Sequence, residues 1–180
     1  SVHGVDAANT WVVGDSGTIL RLGSGVSWTP QASGVTSELD SVYAADTSHV
    51  WAVGDAGVIL FYNGTSWTPQ ASGTTVKLRS VHGTGSSNVY AVGDAGTILR
   101  FDGSKWSPQS SGTTVALGRV FAQSPSSIYV VGQAGTALHS SGTTWTAEDS
   151  GSSTFLFGLW GTATSLFAVG GNGAILEKVN

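Results

Sequence analysis

Apolar residues in this chain fall into short runs, among them Val89-Tyr90-Ala91-Val92 and Thr97-Ile98-Leu99-Arg100-Phe101, separated by clusters of Gly, Asn, Asp and Ser. β-branched and aromatic residues dominate the runs, and turn formers fill the gaps. That pattern predicts strands joined by tight turns. No stretch keeps a sustained helical apolar period. The runs also recur. Val13-Gly14-Asp15-Ser16-Gly17 returns as Val53-Gly54-Asp55-Ala56-Gly57 and as Val92-Gly93-Asp94-Ala95-Gly96, then drifts to Val131-Gly132-Gln133-Ala134-Gly135 and Val169-Gly170-Gly171-Asn172-Gly173. The first glycine of each copy advances by 40, 39, 39 and 38 residues, and Trp28, Trp67, Trp106 and Trp145 follow one another at intervals of 39. Two independent markers at one spacing establish a tandem repeat.

Each repeat carries four such runs, illustrated by Ser80-Val81-His82-Gly83, Val89 to Val92, Thr97 to Phe101 and Trp106-Ser107-Pro108-Gln109. Four antiparallel strands per repeat of about 39 residues is the blade of a β-propeller. Small residues recur in the first run (Gly4, Ala44, Gly83, Ala122, Gly161), as crowding around an axis demands. Pro30, Pro69 and Pro108 mark the fourth run as an outer edge, where a missing N–H is tolerated. The expectation is an all-β, five-bladed propeller occupying 1–180, with blades near 1–39, 40–78, 79–117, 118–156 and 157–180.

The fifth copy reaches Ala174-Ile175-Leu176-Glu177-Lys178, a third run, with no fourth run after it and none before Ser1. The fifth blade is therefore expected to have three strands. Its free edge would be left to water or to a strand donated by a neighbouring chain. Phe155-Leu156-Phe157-Gly158-Leu159-Trp160 departs from the repeat by adding aromatics at Phe155 and Phe157. Phe155, Phe157 and Trp160 are read either as core closing blade 5 onto blade 1 or as an apolar patch for a partner.

Composition narrows the function. Hydrophobic residues are 40% and charged residues 10%, the balance of a folded chain. The net charge of −4, with seven Lys and Arg, argues against nucleic acid. No cysteine is present, which excludes disulfides and thiolate chemistry. No apolar run approaches the ~20 residues that cross a bilayer, so no membrane insertion is expected. The absence of any Met suggests a processed product or an excised fragment.

The stretch Val89 to Trp106 resembles bacterial propeller repeats of the BNR type, a group that includes photosystem II assembly-factor-like propellers and many secreted ones. The resemblance runs the length of the chain. Asp102-Gly103-x-x-Trp106 is similar to a degenerate Asp-box, with Ser24-Gly25, Asn63-Gly64 and Ser141-Gly142 at comparable turns. The resemblance implies the fold, an extracellular or periplasmic location, and a box that is a structural turn remote from any active site.

Candidate chemistry is sparse. Asp15, Asp55 and Asp94 repeat as a ring of turn carboxylates, but Gln133 and Gly171 replace them freely, which favours hairpin turns with Gly at positive φ and Asp bonding its own backbone. His3 and His82 share a slot with Tyr43, Phe121 and Trp160, a packing position rather than a ligand set. The repeat tryptophans have the shape to stack on sugars, yet strict periodicity favours architecture. There is no HExxH and no Gly-x-Ser-x-Gly. No catalytic site, metal or cofactor is expected. The first functional reading is extracellular recognition of a glycan or protein through repeated loops, using Asp15, Asp55, Asp94, Gln133 and Asn172 at the turns and Thr75 and Thr114 in hydroxyl-rich loops. The second is a scaffold or assembly module that holds a protein. A glycosidase-like enzyme ranks third.

Overall fold

In the computed structural model, which describes residues 1–23 and 27–179, the chain forms five antiparallel sheets in sequence order. The turn expected at Ser24-Gly25 lies outside the described residues. Blade 1 holds β1 (Val2–Asp6), β2 (Asn9–Val13), β3 (Ile19–Leu22) and β4 (Trp28–Gln31). Blade 2 holds β5 (Leu39–Asp46), β6 (His49–Gly54), β7 (Ile59–Tyr62) and β8 (Trp67–Pro69). Blade 3 holds β9 (Leu78–Gly83), β10 (Val89–Gly93), β11 (Ile98–Phe101) and β12 (Trp106–Gln109). Blade 4 holds β13 (Leu117–Ser124), β14 (Ser127–Gly132), β15 (Ala137–Ser140) and β16 (Trp145–Glu148). Blade 5 has three strands, β17 (Leu156–Gly161), β18 (Ser165–Gly170) and β19 (Ile175–Val179). This is a five-bladed propeller with a short fifth blade. Leu39, Leu78, Leu117 and Leu156 each open a sheet.

The core lies between blades. Trp11, Val13 and Ile19 of blade 1 bury against Leu39, Val42, Val50, Leu60 and Trp67 of blade 2. Trp51, Val53 and Ile59 do the same against Leu78, Val81, Val89, Leu99 and Trp106 of blade 3. Tyr90, Val92 and Ile98 face Leu117, Val120, Ile128, Leu138 and the partly buried Trp145 of blade 4. Alternation along each strand sends one set of side chains to the preceding blade and the other to the following one. Full burial of such a side chain stabilises by roughly 1.5–3 kcal/mol.

Innermost strands stitch neighbouring blades together. The backbone N–H of Val81 donates to Ser41 Oγ at 3.1 Å, and that of Val120 to Ser80 Oγ at 3.2 Å. The N–H groups of Ala44 and Ala122 donate to Nδ1 of His3 and of His82, each at 3.1 Å. Both serines are buried, and each accepts one of these bonds.

Candidate functional site

The turn between the second and third strands explains the repeated Gly-Asp-x-Gly. Asp55, Asp94, Gln133 and Gly171 donate their backbone N–H to the carbonyls of Glu38, Lys77, Ala116 and Phe155 at 2.8–3.0 Å, tying each turn to the entry of its blade. Only the main chain is needed, so Asp, Gln and Gly serve equally. The next residue, Ser16, Ala56, Ala95, Ala134 or Asn172, sits at φ 54–55°, and the closing glycine follows at positive φ. A Cβ on Gly57 would collide with the Thr74 carbonyl oxygen, so glycine is required there for space as well as conformation. Asn172 thus fills the left-handed position rather than the Asp position.

The expectation that these aspartates bond their own backbone is not met where the structure shows their partners. Asp94 pairs with Arg79 Nε at 2.5 Å, and Asp55 with Lys77 Nζ at 3.0 Å. Asp15 and Gln133 are exposed. Lys77 also reaches Glu38 and Asp40 at 3.1 and 3.0 Å. Among the described residues, Glu38, Asp40 and Asp55 are the carboxylates that converge closely enough to hold a cation, and the Lys77 ammonium lies on all three. Burial raises the Asp40 carboxyl above its usual range; for Lys77, desolvation pulls downward but the hydrogen bonds to Asp55, Asp40 and Glu38 outweigh it and hold the ammonium above its usual range. Among the described residues the turn aspartates therefore form no ring of ligands; the cluster that includes Asp55 is assembled by Lys77, a loop residue at the position that Glu38, Ala116 and Phe155 hold in the other blades.

Around the axis the shared slot of the innermost strands forms a continuous row. His3 and Tyr43 have ring centroids 5.2 Å apart, Tyr43 and His82 5.1 Å, and His82 and Phe121 5.1 Å. Both histidines accept through Nδ1, as neutral rings do. Desolvation, with the charges of His3 and Arg119 nearby, pulls His82 down to about 4, and burial lowers His3 as well. Arg119 stands where Ser41 and Ser80 stand in earlier blades. That break in the repeat was the signal for a cation beside the axis.

The row ends in the open. Trp160 is 60% exposed and among the described residues stacks on Phe167 alone, at 6.3 Å; Phe157 is 54% exposed. Phe155 turns back toward Gly118 of blade 4. Each blade packs on its successor from the first to the fifth, but among the described residues no element of blade 5 packs on blade 1 in that way. Among the described residues, Phe155, Phe157 and Trp160 do not join blade 5 to blade 1. The far face of blade 5 (with Val169 and Ile175 exposed) and the near face of blade 1 (with Val2 exposed) are both uncovered.

Two clefts accompany these surfaces. One, of about 1000 Å³, opens between the outer parts of blades 2 and 3 and is lined by Ser72, Thr74, Ser111, Thr113 and Thr114. Thr114 lines it; Thr75 is exposed beside it and is not among its lining residues. Trp67 and Trp106 are 8% exposed, so neither offers a ring face to a sugar. The other cleft, of about 430 Å³, lies between blades 4 and 5 with Glu148 and Lys178 among its lining residues. No helix in the described residues is long and apolar enough to cross a membrane.

No family model matches the chain, and no curated protein does. Among solved structures, YCF48 from Cyanidioschyzon merolae is similar over 98% of this chain at 17% identity and a TM-score of 0.73. This chain spans 65% of the length of that protein. A structure described as YCF48 bound to D1 peptide is similar over all of this chain and 91% of that one, at 14% identity and a TM-score of 0.51. At these identities the likeness establishes the propeller fold.

Proposed function

We propose that this chain is a protein-binding propeller, a module that holds a polypeptide partner without transforming it and that works outside the cytoplasm. One observation carries the reading: Phe157, Trp160, Val169 and Ile175 are exposed together on one blade, whereas the other blades bury the position of Val169 (Val13, Val53, Val92, Val131) and the first three bury that of Ile175 (Ile19, Ile59, Ile98). Contiguous apolar surface of this kind marks interaction sites. Trp160 occupies the blade-5 counterpart of the slot that forms the aromatic row, and Arg119 adds positive charge beside His3 and His82 of that row. A propeller of like fold is described with a bound peptide, which supports this scaffold reading over glycan recognition. The glycan reading retains only the hydroxyl-lined cleft between blades 2 and 3.

The test is selection from a displayed random-peptide library, run beside a glycan array. Peptides should be enriched and should lose binding to the Phe157→Ser, Trp160→Ser double variant. Glycan binding without peptide enrichment would replace this reading with a lectin.

A further inference from the structure

Two hairpin turns at the rim share one geometry and differ at the residue that opens them. Asn63-Gly64-Thr65-Ser66 joins β7 to β8, and Asp102-Gly103-Ser104-Lys105 joins β11 to β12. In each, the N–H of the first residue donates to the carbonyl of the fourth at 3.3 Å. In each, the glycine has a positive φ, 95° at Gly64 and 101° at Gly103, and a Cβ there would meet Cβ of Ser48 or of Ser87 at 3.1 Å. The opening side chains also act alike. Asn63 Oδ1 accepts the N–H groups of Thr65 and Ser66, both at 3.0 Å, and Asp102 Oδ1 accepts those of Ser104 and Lys105 at 2.8 and 3.0 Å.

Asp102 reveals what such donors do to the oxygen they hold. The N–H groups of Lys105 and Ser104, with the Ser104 hydroxyl, pull its carboxyl down to about 2, so this turn favours negative charge on that oxygen. Asn63 sets a neutral amide oxygen on the same pair of donors, directly before a glycine. The backbone nitrogen of that glycine is one bond sequence away from Asn63 Cγ, and its attack there develops negative charge on Oδ1. Two N–H groups already point at this oxygen, the arrangement that stabilises an oxyanion. The Gly64 N–H makes no hydrogen bond among the described residues, and its carbonyl is fixed by the Tyr62 hydroxyl at 2.7 Å. All four residues of the turn are exposed, so water and hydroxide reach them.

We propose that Asn63 is a self-modification site, at which the Gly64 nitrogen closes on Asn63 Cγ, ammonia leaves, and water converts the residue to aspartate or isoaspartate. Hydroxide takes the Gly64 N–H proton as the new N–Cγ bond forms and Oδ1 becomes an oxyanion. The Cγ–Nδ2 bond then breaks, and Nδ2 leaves as ammonia with a proton from water, which restores the hydroxide. Water that opens the resulting succinimide at Cγ gives aspartate; water that opens it at the Asn63 main-chain carbonyl carbon gives isoaspartate. The aspartate product adds one negative charge to the rim and fits the turn, as Asp102 does in blade 3. The chain supplies its own reference in Asn172-Gly173, where Asn172 is exposed and its amide has no hydrogen bond among the described residues.

The test is peptide mapping by mass spectrometry of the purified chain held at mildly alkaline pH, with and without urea, reading conversion of amide to acid at each site. In the folded chain Asn63 should convert about 10-fold faster than Asn172, the effect of one hydrogen bond to a developing charge. In urea, where the turn is lost and both sites are simply Asn-Gly, the two rates should converge. Asn63→Asp should melt no lower than the parent. Asn63 reacting no faster than Asn172 in the folded chain, or no faster folded than in urea, overturns the proposal, because the turn then holds Cγ out of reach of the Gly64 nitrogen. A lower melting temperature in Asn63→Asp overturns the claim that the turn accepts the product.

Discussion

Val53 and Ile59 pair across the second and third strands of blade 2 and are 0% and 1% exposed; Val169 and Ile175 are the same pair in blade 5 and are 40% and 77% exposed. The residues are identical and so is the register. What differs is the next sheet: β9 of blade 3 covers the first pair, and among the described residues no sheet covers the second. Burial in this fold belongs to the junction, not to the blade. A repeat protein built this way gains its stability from nearest-neighbour interfaces, and its last unit presents a core-like face to whatever comes next.

The sharpest way to break that comparison is to make the same change in both blades. Ile59→Ala should cost about 2–5 kcal/mol, as for a large-to-small change in a packed core. Ile175→Ala should stay within about 0.5 kcal/mol, as for an exposed site. Urea unfolding of both variants measures the difference. Equal losses would mean that the far face of blade 5 is covered in solution.

The fold was legible in the sequence because architecture repeats. Two markers at one spacing gave the blade count, and the missing fourth run gave the short fifth blade. Closure was not legible. Trp160 occupies the slot of Tyr43, Phe121 and two histidines, and its type says aromatic packing, yet whether a neighbour reaches it is decided by the angle between successive blades. The turn aspartates were legible as turns but not in detail, since the N–H that matters is one every residue carries. Lys77, Arg119 and Glu148 were missed for the opposite reason: each is a departure from the repeat, and a reading tuned to periodic positions passes over them.

A second comparison sets the closed end of the axial row against the open one. His82 sits between Tyr43 and Phe121 and accepts a backbone bond through Nδ1, whereas Trp160 at the open end has no ionisable group. With His82 lowered from 6.5 to about 4, the folded state prefers the neutral ring. Its contribution is fully present above pH 6.5 and is lost as the pH falls from there toward 4. Linkage puts the loss at no more than about 3 kcal/mol. Stability measured from pH 7 to 4 should fall less steeply in His82→Phe, which copies Phe121, than in the parent. His3 and Arg119 remain in both proteins, so the difference isolates His82. Parallel profiles would show that protonation of this ring does not oppose folding.

The smallest contrast separates a filled junction from an unfilled one. Gln70 Oε1 accepts from Trp106 at 2.8 Å and from Trp51 at 3.2 Å, both indoles being buried. Gln70→Leu keeps the bulk and removes the acceptor, leaving two indole N–H groups unsatisfied. Buried donors stranded in this way cost about 1–3 kcal/mol. Glu148→Leu makes the corresponding change at the fourth junction, where no indole lies among the described residues and the loss is a partly exposed pair with Lys178, worth about 0–1 kcal/mol. Trp11 bounds the upper value, because its Nε1 is buried without a protein partner and the blade still forms. Thermal unfolding of Gln70→Leu and Glu148→Leu should therefore separate, with the first melting lower.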